Sequence, residues 1–223
     1  MNLIEYPDRD LMFMALADRI ATEVGTAIRQ NGRATLTVQG GTTPGPVFDT
    51  LSGVALDWAK VTVIPNDERW VPESSDRSNA RLIRARLLHG EAAAAQLVPL
   101  YAPVDMPETA MDALVAAVEP WLPLDVALLG MGADMHTASL FPGADRLKAA
   151  LAPDAPVLMA LRSEAAGEPR VTLTARVLAA AMRIHVLVAG ADKRAALERA
   201  QGLPPEEAPV RAILANATVH WAA

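Results

Sequence analysis

What most constrains this chain is a grammar that recurs along it: a short apolar run, a turn rich in glycine or polar residues, then a helical segment. The apolar runs span 34–38, 61–65, 125–129, 157–161, 184–189 and 217–221. Most fit strands buried on both faces, as parallel strands covered by helices are. Helical stretches fall between them at 44–52, 78–88, 108–119, 174–182 and 191–200, after a first helix over 10–30. In that first helix Met14, Ala17, Ala21, Val24 and Ile28 recur at steps of three and four, which places them on one face.

Alternating strands and helices predict an α/β fold: an open, doubly wound, mostly parallel sheet with helices on both faces, Rossmann-like in its layering. No internal repeat or low-complexity linker interrupts the pattern. The segment 201–209 reads as a loop before a last helix and strand, so residues 1–223 are expected to form a single domain. With 52% hydrophobic and 21% charged residues, the chain has the balance of a globular protein with a sizeable core.

Several function classes drop out on composition. The chain has no cysteine, which excludes disulfides, thiolate nucleophiles and Cys-ligated metal. The opening residues carry early acids and no basic stretch, so they do not read as a secretory leader. No segment has the apolar length to cross a bilayer. A cytoplasmic protein without a membrane partner is expected. The net charge of −6 argues against a nucleic-acid partner, because phosphate-backbone binding normally shows as a basic surplus. If the ligand is a small anion, its cations must be gathered locally. Nothing in the sequence demands assembly, and a monomer or weak homodimer is expected.

In such sheets ligands bind beyond the carboxyl ends of the strands, and four segments there carry the chemistry. After 34–38 comes Gly40-Gly41-Thr42-Thr43-Pro44-Gly45. Paired glycines permit close backbone approach, Thr43 is placed to cap a helix, and Pro44 suits the first turn. The same composition serves an ordinary tight turn, and Pro44 and Pro46 remove two donors. After 61–65 comes Asn66-Asp67-Glu68-Arg69-Trp70, then Arg77-Ser78-Asn79. Arg69 and Arg77 supply planar forks for phosphate or carboxylate, and Asp67 and Glu68 could orient them or bind sugar hydroxyls. A solvated loop with local ion pairs would look similar, and Arg81, Arg84 and Arg86 read as a solvated helix face.

The third segment is the most informative. Leu128-Leu129-Gly130-Met131-Gly132-Ala133-Asp134-Met135-His136-Thr137 runs a strand into a Gly-x-Gly turn that delivers Asp134 and His136. Histidine can take a proton from water near neutrality, and a carboxylate two residues away can hold its tautomer. The fourth is a pair, Arg170-Val171-Thr172-Leu173-Thr174 and Gly190-Ala191-Asp192-Lys193; alone, each is ordinary capping and surface charge. His89, His185 and His220 are dispersed and lack metal-ligand spacing, so no metal is expected. No Gly-x-Ser-x-Gly elbow exists, and Gly130-x-Gly132 lacks a third glycine for dinucleotide binding.

Together these segments resemble the 6-phosphogluconolactonase family. The matching elements are Gly-Gly-Thr-Thr-Pro, Asp67-Glu68-Arg69-Trp70-Val71-Pro72 with Ser78-Asn79, and Leu-Gly-Met-Gly-x-Asp-x-His-Thr-Ala-Ser-Leu-Phe-Pro. Arg170-Val171-Thr172-Leu173-Thr174, Gly190-x-x-Lys193 and Val219-x-Trp221 complete the series in family order. The resemblance implies a fold related to the amino-sugar-phosphate isomerases/deaminases, no metal or cofactor, and a sugar-phosphate lactone as the small-molecule partner. It implies His136 as the base that activates water, supported by Asp134. Arg77 and Lys193 are the expected phosphate ligands and Arg69 serves the lactone side. Gly40, Gly41, Thr42, Asp67, Glu68, Asn79, Thr137 and Arg170 are expected to complete the substrate contacts.

One departure stands out: the family usually has glycine between the Asp and the His, and here it is Met135. A positive φ there would strain Met. Two other readings stay open. A hexosamine-6-phosphate deaminase would carry Gly-His-Ile-Ala-Phe-Asn-Glu-Pro, whereas Thr137-Ala138-Ser139-Leu140-Phe141-Pro142 follows here. A non-catalytic sugar-phosphate sensor is favoured by Met135 alone.

Overall fold

The computed structural model describes residues 1–223. Its elements alternate in chain order. They begin with β1 (Asn2–Glu5), α1 (Arg9–Asn31), β2 (Ala34–Val38), α2 (Gly45–Ser52), β3 (Val61–Pro65) and β4 (Asp67–Arg69). Next come α3 (Asn79–Arg86), β5 (Gln96–Leu97), α4 (Pro107–Val118), β6 (Val126–Gly130), α5 (Leu147–Ala150) and β7 (Leu158–Leu161). The chain closes with β8 (Arg170–Leu173), α6 (Ala175–Ala179), β9 (Arg183–Ala189), α7 (Ala191–Ala200), α8 (Arg211–Leu214) and β10 (Ala217–Ala222). No helix is long and apolar enough to cross a membrane.

Seven strands form one parallel sheet in the order β1-β10-β9-β6-β2-β3-β5. Strand alternation divides its side chains between two cores. Along β6, Val126 and Leu128 face a core shared with α1, α2 and α3. Ala127 and Leu129 face the opposite core, built with α4, α6, α7 and α8. The expected open, doubly wound sheet with helices on both faces is therefore present. From β2 the chain adds β3 and β5 on one side; it then returns to place β6, β9 and β10 on the other. The crevice between β2 and β6 is thus a topological switch point.

Three expectations need correction. The run 157–161 is not part of the parallel set: β7 pairs antiparallel with β8, and β8 with β4, in a separate three-stranded sheet. Every residue of β7 is buried, and an apolar run of that length cannot report which sheet it joins. Strands β1, β4, β5 and β8 were not anticipated, because they are short or polar and carry no apolar run. In α1 the buried stripe runs through Met12, Phe13, Leu16, Ala17, Ile20, Ala21 and Val24, while Met14 is 54% exposed beyond its rim.

Two of the dispersed histidines meet in the core. His185 Nδ1 and His220 Nε2 lie 3.0 Å apart, His220 Nδ1 is 2.8 Å from the Tyr6 hydroxyl, and His185 Nε2 is 2.7 Å from Glu23. One consistent direction satisfies every group: Tyr6 donates to His220, His220 to His185, and His185 to the Glu23 carboxylate. This leaves His220 neutral. Burial, then the nearby His185 and Arg19, lowers the His220 pKa to about 3.

A histidine depressed in the fold stabilises it fully above the unfolded pKa of about 6.5, and that contribution is lost as pH falls toward 3. Between pH 7 and 5 the loss attributable to His220 is about 2 kcal/mol. Urea unfolding of wild type and His220→Gln at both pH values should show this as a difference in slope. Equal slopes would mean that His220 titrates normally in the fold.

Candidate functional site

The carboxyl ends of β2, β3, β6 and β9 open onto a cleft of about 430 Å³. Its wall takes Gly40, Gly41 and Thr42 from the loop after β2, Asp67 and Arg69 from β4, and Asn79 from the start of α3. His136 comes from the loop after β6, Arg170 from β8, and Lys193 from the first turn of α7. Nine of the expected site residues are thus brought together around one space.

The Asp134–His136 pair is well formed. His136 Nδ1 lies 2.5 Å from Asp134 Oδ1, and the His136 backbone N–H donates to the same oxygen at 3.3 Å. A carboxylate only accepts, so Nδ1 carries a proton, and in the neutral imidazole the lone pair is on Nε2. Burial alone would raise Asp134, but the hydrogen bond and charge of His136 outweigh it and hold the carboxyl below its ordinary range. The imidazole also packs on Phe141, with ring centroids 4.3 Å apart.

The loop that presents this pair is tightly wound. Met135 N–H donates to Gly132 C=O and Gly132 N–H to His136 C=O, both at 3.0 Å. Met135 sits at φ 67, and Ala138 at φ 49. The position does require the left-handed conformation that a glycine would supply, and Met adopts it without loss of the Asp134–His136 geometry. Val210 N–H donates to Met135 C=O at 3.1 Å, and the Met135 side chain packs against the core. Those contacts hold a conformation that costs roughly 1–2 kcal/mol for an ordinary residue.

Glycines clear space for polar side chains. A Cβ on Gly40 would fall on the Asn79 amide, one on Gly130 on the Gln39 amide, and one on Gly132 on both His136 and Asp134. The turn after β2 differs from expectation. Pro44, not Thr43, occupies the cap position of α2, with no side-chain cap. Gly45 N–H already donates to Thr42 C=O at 3.2 Å, so the turn's uncommitted donors shrink to those before Pro44.

Three expected substrate contacts lie elsewhere. Glu68 is buried and accepts from the backbone N–H of Arg69, Asn79 and Ala80 and from the Ser78 hydroxyl. Burial pushes its carboxyl up, and those four donors pull against it. It anchors the start of α3 beneath the cleft. Thr137 is also buried and donates to Gly130 C=O at 2.9 Å, which ties the loop back to its strand. Arg77 lies in an adjoining groove, ion-paired with Glu168.

The cations are held by two acids: Asp67, which the sequence singles out, and Glu168, which it does not. Glu168 lies 3.5 Å from Arg69 Nε and 3.6 Å from Arg170 Nη2 as well as against Arg77, gathering three guanidiniums. Asp67 accepts from the Ser139 hydroxyl and from Asn79 Nδ2 (3.3 Å), with Arg170 Nη1 at 3.7 Å. Burial lowers the pKa of Arg170 and of Lys193, against the partial support of Asp67 and of Asp134 respectively. Ser139 and Phe141 sit inside the motif already quoted, and Gln39 directly precedes the glycine pair. Glu168 had no local signal. No group of three or more His, Asp or Glu side chains is placed to hold a metal ion.

Residues 7–221 match the family model described as glucosamine-6-phosphate isomerases/6-phosphogluconolactonase. The chain belongs to this family. It is 45% identical to a 6-phosphogluconolactonase of Mesorhizobium japonicum, over 99% of this chain and 95% of that protein. It is 42% identical to one of Rhizobium meliloti, over 100% and 98%. The crystal structure of a 6-phosphogluconolactonase from Shewanella baltica superposes with a TM-score of 0.96 at 30% identity, covering 100% of this chain and 98% of that one.

The Met135 conformation makes a sharp prediction. Met135→Gly relieves the backbone but gives up packing and adds freedom to the unfolded chain, so its stability should stay within about 1 kcal/mol of wild type. Met135→Val places a β-branched residue at φ 67 and should cost about 1–3 kcal/mol. Urea denaturation of both variants decides it; a Val variant as stable as wild type would refute the strained-loop account.

Proposed function

We propose that this chain hydrolyses 6-phospho-D-glucono-1,5-lactone to 6-phosphogluconate, with His136 as general base, all 223 residues working as one lactonase domain. The observation that carries this reading is the Asp134–His136 pair opening onto a cleft whose cations are Arg69, Arg170 and Lys193. The family relatives named above bear the same activity in their names. In a protein of net charge −6, cations gathered in one cleft fit an anionic substrate.

Asp134 holds the proton on Nδ1, so Nε2 takes a proton from water as the oxygen attacks C1. Arg69 and backbone N–H groups stabilise the oxyanion, and as it collapses the ring oxygen leaves as the C5 hydroxyl, taking the proton that His136 Nε2 removed from water. Arg170 and Lys193 are the better phosphate ligands. Burial disfavours the charge on both, and a dianion beside them offsets that cost. Arg77, exposed and paired with Glu168, moves from this role to the margin of the site. Remote binding of the phosphate selects phosphorylated lactones and holds C1 against the water.

The test is to generate the lactone in situ from glucose 6-phosphate and follow its loss at fixed pH against the spontaneous rate. Wild type should accelerate opening, and His136→Ala should lose about 10²–10⁴-fold in kcat with its fold intact. A folded His136→Ala that keeps wild-type turnover would place the base elsewhere. A separate measurement covers the phosphate end: Lys193→Ala should raise KM far more than it lowers kcat. Ammonia release from glucosamine 6-phosphate is expected to be absent; its presence would favour the deaminase branch of the family.

A further inference from the structure

Gln39 has no part in the catalytic scheme above, yet its setting is unusual. It follows the last residue of β2, at the switch point, and its backbone N–H donates to Leu128 C=O of β6 at 3.1 Å. Its side chain lines the cleft, and the amide nitrogen is buried with no hydrogen-bonding partner in the protein. An unpaired buried donor is costly and is rarely left so without a reason. Space for that amide exists only because residue 130 is glycine, since a Cβ there would collide with it.

The same turn clears space for His136 two residues later, at Gly132. Gln39 and the catalytic pair therefore lie against the two glycines of one Gly-x-Gly turn. We propose that Gln39 is a specificity-determining residue whose amide binds the C2 hydroxyl of the lactone, the hydroxyl beside the reacting carbonyl. This rests on the lactonase reading. With His136 addressing C1, a group held at the other glycine of the same turn meets a substituent close to C1. A primary amide offers a donor and an acceptor side by side, which a hydroxyl can use together and a carbonyl oxygen cannot. A polar group placed to pair a substrate hydroxyl also rejects the analogue that lacks it, because the amide is then left unpaired.

The experiment compares two lactones generated in situ, 6-phosphogluconolactone and its 2-deoxy analogue, on wild type and on Gln39→Met, which keeps length and removes the amide. Wild type should disfavour the 2-deoxy lactone by about tenfold or more in kcat/KM. Gln39→Met should lose about 10–100-fold on the parent lactone and much less on the analogue, bringing the ratio toward one. A general structural defect would slow both substrates equally. An unchanged ratio in a folded variant, or a wild type indifferent to the C2 hydroxyl, overturns the role of Gln39 while leaving the lactonase reading in place. If Gln39→Met does not fold, Gln39→Ala takes its place in the same comparison. A wild type that accelerates neither lactone refutes the lactonase reading, and this proposal with it.

Discussion

A parallel sheet opens a crevice where the chain stops adding strands on one side and begins on the other, and this molecule is organised around that reversal. Beyond β2 and β6 the chain leaves the sheet, and the connections that follow pack on its opposite faces. The turns are where glycine is needed, where backbone donors are uncommitted, and where polar side chains escape burial between helix and sheet. The smaller antiparallel sheet closes one flank of the crevice, with β4 and β8 bringing Asp67, Arg69 and Arg170 to it. Positions far apart in sequence meet because the sheet requires it.

Charge follows from the same layout. Burying cations beside a cleft is unfavourable unless something answers them. Here the answer is divided. Glu168 and Asp67 hold the guanidiniums in place from within the protein, and the cleft leaves Lys193 and Arg170 short of compensation. Glu68, one residue from both Asp67 and Arg69, serves an unrelated purpose: its carboxylate replaces the missing partners of backbone donors at the start of α3. A run of three charged residues thus splits into two that face the cleft and one that braces the floor beneath it.

Much of this was legible in the sequence because parallel strands leave a plain signature: continuous apolar runs, each ended by a turn whose composition differs from the run. The strands of the main sheet from β2 to β10 followed from that pattern, except the two-residue β5, and so did the location of the cleft. What stayed hidden had no such signature. β4 and β8 are short, polar strands that pair with each other across about a hundred residues of chain, and β7 looks like any buried strand. Glu68 and Arg69 are adjacent and both charged, yet strand alternation turns one inward and the other toward the cleft. Glu168 is a lone acid in a loop, and only the folded chain brings three arginines to it. The spacing of His185 and His220 carries no motif, since their meeting depends on β9 and β10 being neighbours.

Residues 40, 130 and 132 each lack a side chain so that a polar group from another position can occupy the space. The relation is reciprocal: the amide of Asn79 has room only under a glycine at 40, and the amide of Gln39 only beside a glycine at 130. Each is one half of a lock, and evolution cannot change the halves separately without a collision or a void. Among homologous chains, substitutions at 40 and 79, and at 39 and 130, should therefore travel as pairs. Drift at the cleft would proceed by linked jumps, more slowly than at the exposed faces of the helices around it.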